Sequence, residues 1–382
     1  VIKILKAYKF RIYPNKTVKA QIDETIRTCQ ILYNNSLAER KQAYEERQEQ
    51  LTCFAQINAL PAKKESNPYL KDMFSQVAQD VLRRLDKVFQ SFFRRVKAGE
   101  KPGYPRFQGK EHYNSFTYPQ SGFGLKENKL EMSKIGKVNI KLHRKIEGTI
   151  KTLTVIRKNG RYYACFSCEV QPVEIPLTGA AIGIDMGLKS FVTTSDGGMT
   201  ECPKTYRKAE SDLKHQQREV SRKVKGSSRR KKAVGILARQ HERIANQRRD
   251  ISFKVSHNLL SQYDVIAHED LSIKNMVQNH HLAKSISDAG WGMFFNILLG
   301  QAKTIAGKRV VAVDPRNTSQ MCSQCGEIVP KTLSDRVHKC PYCGLEMDRD
   351  VNAAINILKR GLEKLGFDAR NELSWMGAVA PV

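Results

Sequence analysis

The stretch AAIGIDMGLKSFVTTSDGGMTECP, residues 180–203, decides how this chain is read. Three runs rich in apolar and β-branched residues, AAIGID, SFVTTSD and MTECP, are separated by glycine-bearing breaks at Met186-Gly187 and Gly197-Gly198, which predicts three strands in a meander. Downstream, residues from about 205 to 260 are patterned as helix, DVIAHED (264–270) is a fourth strand, and DAGWGMFFNILLGQAKTIAG (288–307) is a helix. RVVAVDP (309–315) is a fifth strand, and DVNAAINILKRGLEKL (350–365) closes as a helix.

That order of elements is the order of a ribonuclease-H-like α/β fold, an analogy that concerns fold alone. Upstream, Tyr8, Phe10 and Ile12 alternate with Lys9 and Arg11, the period of a strand with one apolar and one basic face. Pro14 ends it, and helical patterning runs from Thr17 to about Glu49. In SQVAQDVLRRLDKVFQSFFRRV (75–96), Val77, Val81, Leu82, Leu85, Val88, Phe89, Phe92 and Phe93 share one helix face, expected to be core and not a base-stacking surface. The connector GEKPGYPRFQGKEHYNSFTYP (99–119) mixes basic and aromatic residues, a composition suited to stacking and phosphate contact and also common in ordinary loops. KVNIKL, TLTVIR and YYACFSCEV then alternate, so residues near 113–178 read as a small β-domain. Cys165 and Cys168 fall within that last run, three apart and therefore on opposite faces, as buried thiols.

With 382 residues and a net charge of +27, the chain has material for two or three domains, and so large a basic excess points to a polyanion, most often nucleic acid. No apolar run approaches the ~20 residues of a membrane span. VIKILKAYKFRIYPN at the N-terminus lacks a cleavable signal pattern, so the expectation is a cytoplasmic protein with no membrane partner. Nine cysteines in such a chain argue for metal ligands and buried thiols over a disulfide framework.

Cys322, Cys325, Cys340 and Cys343 spell two C-x-x-C knuckles, followed by Gly326 and Gly344. Paired knuckles place four thiolates around one structural Zn²⁺ and leave no open position for a catalytic water. Three acids stand at element ends: Asp185 after the first strand, Glu269 after the fourth, Asp350 at the start of the last helix. Singly, each has a plain structural explanation, as a turn residue before glycine, a rim residue or a helix cap. Together they matter, because the ribonuclease-H-like topology brings these three ends to one spot, where carboxylates must hold a proton or bind divalent cations such as Mg²⁺ or Mn²⁺. Two such ions about 4 Å apart activate water and stabilise the leaving oxygen of a phosphodiester. Between residues 204 and 250, sixteen Lys and Arg stand against five Asp and Glu, in two helical stretches broken at Gly226-Ser227-Ser228. Arg222, Lys223, Lys225, Arg229, Arg230, Lys231 and Lys232 around that break are expected to grip a nucleic-acid backbone, where the alternative is a solvated helix surface.

AYKFRIYPN, KPGYPRF, GIDMGLKSF, ISDAGW, RNTSQMCSQCG, CPYCG and DRDVNAAINIL, in this order over nearly the whole chain, resemble the TnpB family, which is encoded by single-strand-transposing insertion sequences and related to type V CRISPR effector nucleases. The resemblance implies an RNA-guided DNA endonuclease with a RuvC-like (ribonuclease-H-like) nuclease domain over 179–382 and a zinc ribbon nested in it over 316–346. It implies a wedge domain, 1–13 and 113–178, interrupted by a helical recognition domain over 14–112. Asp185, Glu269 and Asp350 would be its catalytic and metal-binding acids, with Asp348 the alternative for the third. Its partners would be a guide RNA from the transposon end, one chain per RNA, and double-stranded target DNA beside a short motif, in a prokaryotic cytoplasm and at the nucleoid when bound to DNA. A strand-transferring transposase, also built on three acids, and an inert guided DNA-binding regulator are the competing readings. The regulator should have lost carboxylates, and all three are present.

Overall fold

The computed structural model describes residues 3–332 and 334–367; Val1, Ile2, Leu333 and residues 368–382, where the expected wedge and nuclease domains have their outer ends, lie outside the described residues. The chain divides between Gln171 and Pro172 into two units.

In the first unit, β1 (Ile4–Tyr13) buries Tyr8, Phe10 and Ile12 and turns Lys9 and Arg11 outward, as its alternation predicts. Asn15 caps the long helix α1 (Lys16–Arg47) by accepting from the Val18 N–H. Three short helices follow, α2 (Cys53–Asn58), α3 (Leu60–Ser66) and α4 (Pro68–Asp72), and then α5 (Ser75–Lys97). The chain returns through six strands: β2 (Ser115–Tyr118), β3 (Phe123–Lys126), β4 (Lys129–Met132), β5 (Gly136–Lys141), β6 (Thr149–Lys158) and β7 (Arg161–Val170). The sheet order is β2-β6-β7-β1-β5-β4-β3, antiparallel throughout, so β1 sits mid-sheet although five helices separate it from its partners in sequence. One core joins β1 to Ile22 and Ile26 of α1, Val81 and Leu85 of α5, and Phe116 and Phe166 of the sheet. The expected core face of α5 is fully buried only as far as Leu85: Phe89 is partly exposed but still packs on the core, Phe92 is partly exposed, and Val88 and Phe93 are exposed. Cys168 is buried, whereas Cys165, on the opposite face of β7, is only partly covered.

In the second unit, β8 (Ala181–Asp185), β9 (Ser190–Thr194) and β10 (Met199–Glu201) form the expected meander. A helical hairpin, α6 (Thr205–Ser221) and α7 (Ser228–Gln262), leads to β11 (Val265–Glu269). Then come α8 (Ile273–Met276), α9 (His280–Ala289), α10 (Trp291–Ala302) and β12 (Arg309–Val313). The hairpin β13 (Val337–Lys339) and β14 (Glu346–Asp348) precedes α11 (Arg349–Lys364). The five-stranded order β10-β9-β8-β11-β12, with β11 parallel to both β8 and β12, is that of the ribonuclease-H-like fold.

The helix expected from residue 288 starts only at Trp291, because Gly290 takes a left-handed φ of 74° and separates α9 from α10. Asp288 on the near side of that break is buried and accepts from the backbone N–H groups of Tyr206 and Arg207, capping α6 from a distance. One face of the sheet packs on α7 and α10 through Ile182, Ile184, Leu260, Phe294 and Leu298. The other is covered by α11 through Ile357, Leu358 and Leu362. A Cβ built on Gly183 of β8 would lie 2.0 Å from the Ala354 carbonyl oxygen, and one on Gly361 of α11 would lie 2.4 Å from Ala267 Cβ. Two glycines therefore let α11 lie directly against β8 and β11, which carries the start of α11 to the strand ends.

Candidate active site

Asp185 and Glu269 terminate the two adjacent parallel strands: His268 pairs with Ile184, so the acids follow in register, one residue on in each strand. Burial, reinforced by the negative charges of Glu269 and Asp350, pushes the Asp185 carboxyl up to about 8. Burial also raises Glu269, against a hydrogen bond from Thr318 and the nearby positive charge of Arg360. Arg349 pairs with Asp350 at 3.2 Å and partly offsets the cluster's charge at Asp185. Asp348 has a different task. It is the N-cap of α11, where its Oδ1 accepts from the Asp350 and Val351 N–H groups at 2.8 and 3.2 Å. The helix-cap explanation thus belongs to Asp348, and Asp350 is the one whose negative charge bears on Asp185.

The four knuckle sulfurs lie within 4.8 Å of one another, with Cys322 3.6 Å from Cys343 and Cys325 3.5 Å from Cys340. Tetrahedral thiolates at a Zn–S length of about 2.3 Å have edges of about 3.8 Å, so this donor set fits zinc. The two knuckles repeat one backbone pattern. Gly326 N–H donates to Cys322 O and Gly344 N–H to Cys340 O, both at 3.0 Å, with φ of 84° and 78° at the glycines. Among the described residues, no other group of three or more His, Cys, Asp or Glu is gathered this tightly. The three carboxylates repel one another and are less compact.

Knuckle and acids are joined by residues that belong to neither motif. Buried Asn352 of α11 accepts from the Ser323 N–H at 2.9 Å and donates to Met321 O at 2.8 Å. One turn on, Asn356 donates to Thr318 O and Met321 O at 2.9 and 2.7 Å, and Lys359 reaches Ser323 O. Thr318, 2% exposed, donates its hydroxyl to Glu269 Oε1 at 2.5 Å. The loop entering the first knuckle is therefore tied both to the helix carrying Asp350 and to the Glu269 carboxylate. A sequence signal for these ties exists: Asn352 and Asn356 are two polar residues four apart on the buried face of an apolar helix, which requires buried hydrogen-bond partners.

The basic hairpin turns as expected, with Ser227 capping α7 by accepting from the Arg230 N–H. Arg222 and Lys223 are ion-paired to Glu219 at 3.2 and 2.8 Å. Lys225, Arg229, Lys231 and Lys232 are exposed and Arg230 is partly exposed.

Family models match three stretches: OrfB_IS605, described as "Probable transposase", over residues 165–280; a "Cas12f1-like, TNB domain" over 291–357; and an OrfB_IS605 "Helix-turn-helix domain" over 4–49. In this chain the last stretch holds one strand and one long helix. A Streptomyces pristinaespiralis protein provisionally named an RNA-guided DNA endonuclease is 33% identical over 94% of this chain and 90% of its own length. TnpB-like protein L79 of Acanthamoeba polyphaga mimivirus is 30% identical over 56% of this chain and 45% of its own. Among solved structures, the cryo-EM complex of Cas12f1 with sgRNA and target DNA aligns with a TM-score of 0.59 at 13% identity, covering 93% of this chain and 98% of that one, a likeness of fold.

Proposed function

This chain belongs to the TnpB family, and on that premise we propose that it is the RNA-guided DNA endonuclease of a transposable element, cutting target DNA by divalent-metal-dependent phosphodiester hydrolysis. The observation that carries the reading is the meeting of Asp185, Glu269 and Asp350 at the ends of β8 and β11 and the start of α11, with the Asp185 carboxyl driven up to about 8. A carboxyl so placed either keeps its proton or gives it up to a cation, and an all-oxygen donor set suits Mg²⁺ or Mn²⁺. Bound there, the ions would activate a water and stabilise the leaving oxygen. The chain's own residues do the rest. Thr318 holds Glu269 in one orientation, Arg349 balances Asp350, and Asp348 fixes the helix start that presents it.

Zn²⁺ held by Cys322, Cys325, Cys340 and Cys343 serves folding, since a polar ribbon too small for a core takes its stability from metal. The guide RNA comes from the transposon end, one chain per RNA, and the target lies beside a short motif. The sheet of β1–β7 is the wedge, α1–α5 the recognition domain, and the hairpin from Arg222 to Lys232 a phosphate grip. The protein acts in a prokaryotic cytoplasm. The test is to sequence the RNA that co-purifies and to challenge the complex with matched DNA: a discrete transposon-end RNA and Mg²⁺-dependent cleavage are expected. Assembly on element-end DNA without RNA would instead identify a strand transferase.

A further inference from the structure

The last turns of α5 carry aromatic residues of which the core takes up only Phe89. Phe92 lies 5.2 Å from Phe93 and 5.5 Å from Tyr104, and Phe89 lies 6.0 Å from Tyr104 and 6.3 Å from Phe93, in edge-to-face and stacked pairs. Phe89 is the anchored end. The Arg40 guanidinium sits 5.2 Å from its ring, and Arg40 is itself buried and bonded to Gln56 and Asp86. At the open end Phe93 is 56% and Tyr104 47% exposed. The cluster is fixed at its base and offers ring faces and edges to solvent.

Its surroundings select the partner. Residues 87–107 hold six Lys and Arg against one acid, Glu100. The acids of α5 itself, Asp80 and Asp86, are already engaged by Arg84 and Arg40. A protein interface is depleted of lysine around its aromatic centre, whereas rings set among lysines and arginines are the arrangement that takes stacked bases with phosphates alongside. We propose that Phe93 and Tyr104, backed by Phe89 and Phe92, form a stacking platform for unpaired bases of the guide RNA, with Arg94, Lys97, Lys101 and Arg106 on the adjoining phosphates. The proposal rests on the RNA-guided reading above. RNA is the occupant because, on that reading, it is the polyanion the chain holds before target DNA is met.

Phe93 lies outside the core, so Phe93→Leu leaves the fold intact and removes only the π-face; Phe93→Tyr restores it. Full-length protein freed of nucleic acid is titrated with its co-purified RNA, unlabelled and with 2-aminopurine at unpaired positions, at several salt concentrations. Phe93→Leu is expected to weaken RNA binding about tenfold with an unchanged salt slope, and to abolish stacking quench at one or more 2-aminopurine positions, while Phe93→Tyr behaves as wild type. Equal affinity and quench in Phe93→Leu overturns the platform. So does weakened binding of target DNA with RNA binding intact, or a concentration-dependent wild-type dimer that the variant loses with RNA affinity unchanged. Wild type that carries no discrete RNA and cuts nothing refutes the underlying reading; wild type that cuts matched DNA beside an unaffected Phe93→Leu refutes the platform alone.

Discussion

The cysteine knuckles and the carboxylate trio, of which only Asp350 lies near the cysteines in the chain, are built on opposite principles. The thiols are gathered by two local turns of the same pattern, all within 4.8 Å, and need no other part of the fold to find one another. The carboxylates come from two strands and a helix start, and their meeting is opposed by burial and mutual repulsion, which leaves Asp185 raised to about 8. The cysteine site is closed and local; the proposed catalytic site is assembled by tertiary packing, against burial and repulsion. Here the first supports the second, through Thr318 on Glu269 and through Asn352 and Asn356 on the helix of Asp350.

Breaking the carboxylate side has the largest effect. Asp185→Asn, Glu269→Gln or Asp350→Asn is expected to lower cleavage of matched DNA more than about a hundredfold, beyond what loss of supporting groups around a metal produces, with guided binding retained in electrophoretic shifts. Asp348→Asn, which keeps a good cap, should cut within a few fold of wild type; equal losses at 348 and 350 would undo their separation. On the knuckle side, Cys322→Ser or Cys340→Ser should remove about one zinc per chain by elemental analysis and cost several kcal/mol in denaturant unfolding. Thr318→Val tests the link between the two: cleavage should fall about tenfold with zinc content unchanged, and Thr318→Ser should restore it.

Smaller effects sharpen the contrast. Neutralising Arg229, Arg230, Lys231 and Lys232 should weaken RNA binding across sequences and flatten the slope of log K against log salt by about 0.7 to 0.9 for each phosphate the hairpin no longer neutralises, with cation binding at the acids untouched. An unaltered slope would leave the hairpin as solvated surface. The raised Asp185 carboxyl also sets a pH dependence. The stability that its protonation contributes is complete below the ordinary value of 3.8 and is lost as pH climbs through about 8. Zinc-loaded protein free of Mg²⁺ and Mn²⁺ should therefore lose stability over that interval, less so in Asp185→Asn, while cleavage at limiting Mg²⁺ should rise across it.

Local chemistry is legible in the sequence, and tertiary placement only where the order of elements matches a fold. The strand meander after residue 180, the parallel strands ending on acids and the cysteine spacing all write themselves in short-range pattern. The break at Gly290 is hidden because the apolar pattern after residue 288 reads as one helix, whereas Asp288 and Ala289 close α9 and Asp288 caps α6. Val88 and Phe93 fit the apolar stripe of α5, but that stripe is fully buried only as far as Leu85 and packs on the core only as far as Phe89. Thr318, Asn352 and Asn356 bond to backbone and carboxylate atoms brought near by folding, so no spacing could name their partners.

Manganese binding tests the division of labour between the two sites most directly. Mn²⁺ is titrated into zinc-loaded protein and followed by electron paramagnetic resonance. The account predicts up to about two ions per chain, displaced by Mg²⁺, bound more tightly as pH approaches 8 and lost in Asp185→Asn, with zinc constant throughout. Mn²⁺ binding that survives Asp185→Asn, or that proceeds only as zinc leaves, would contradict it.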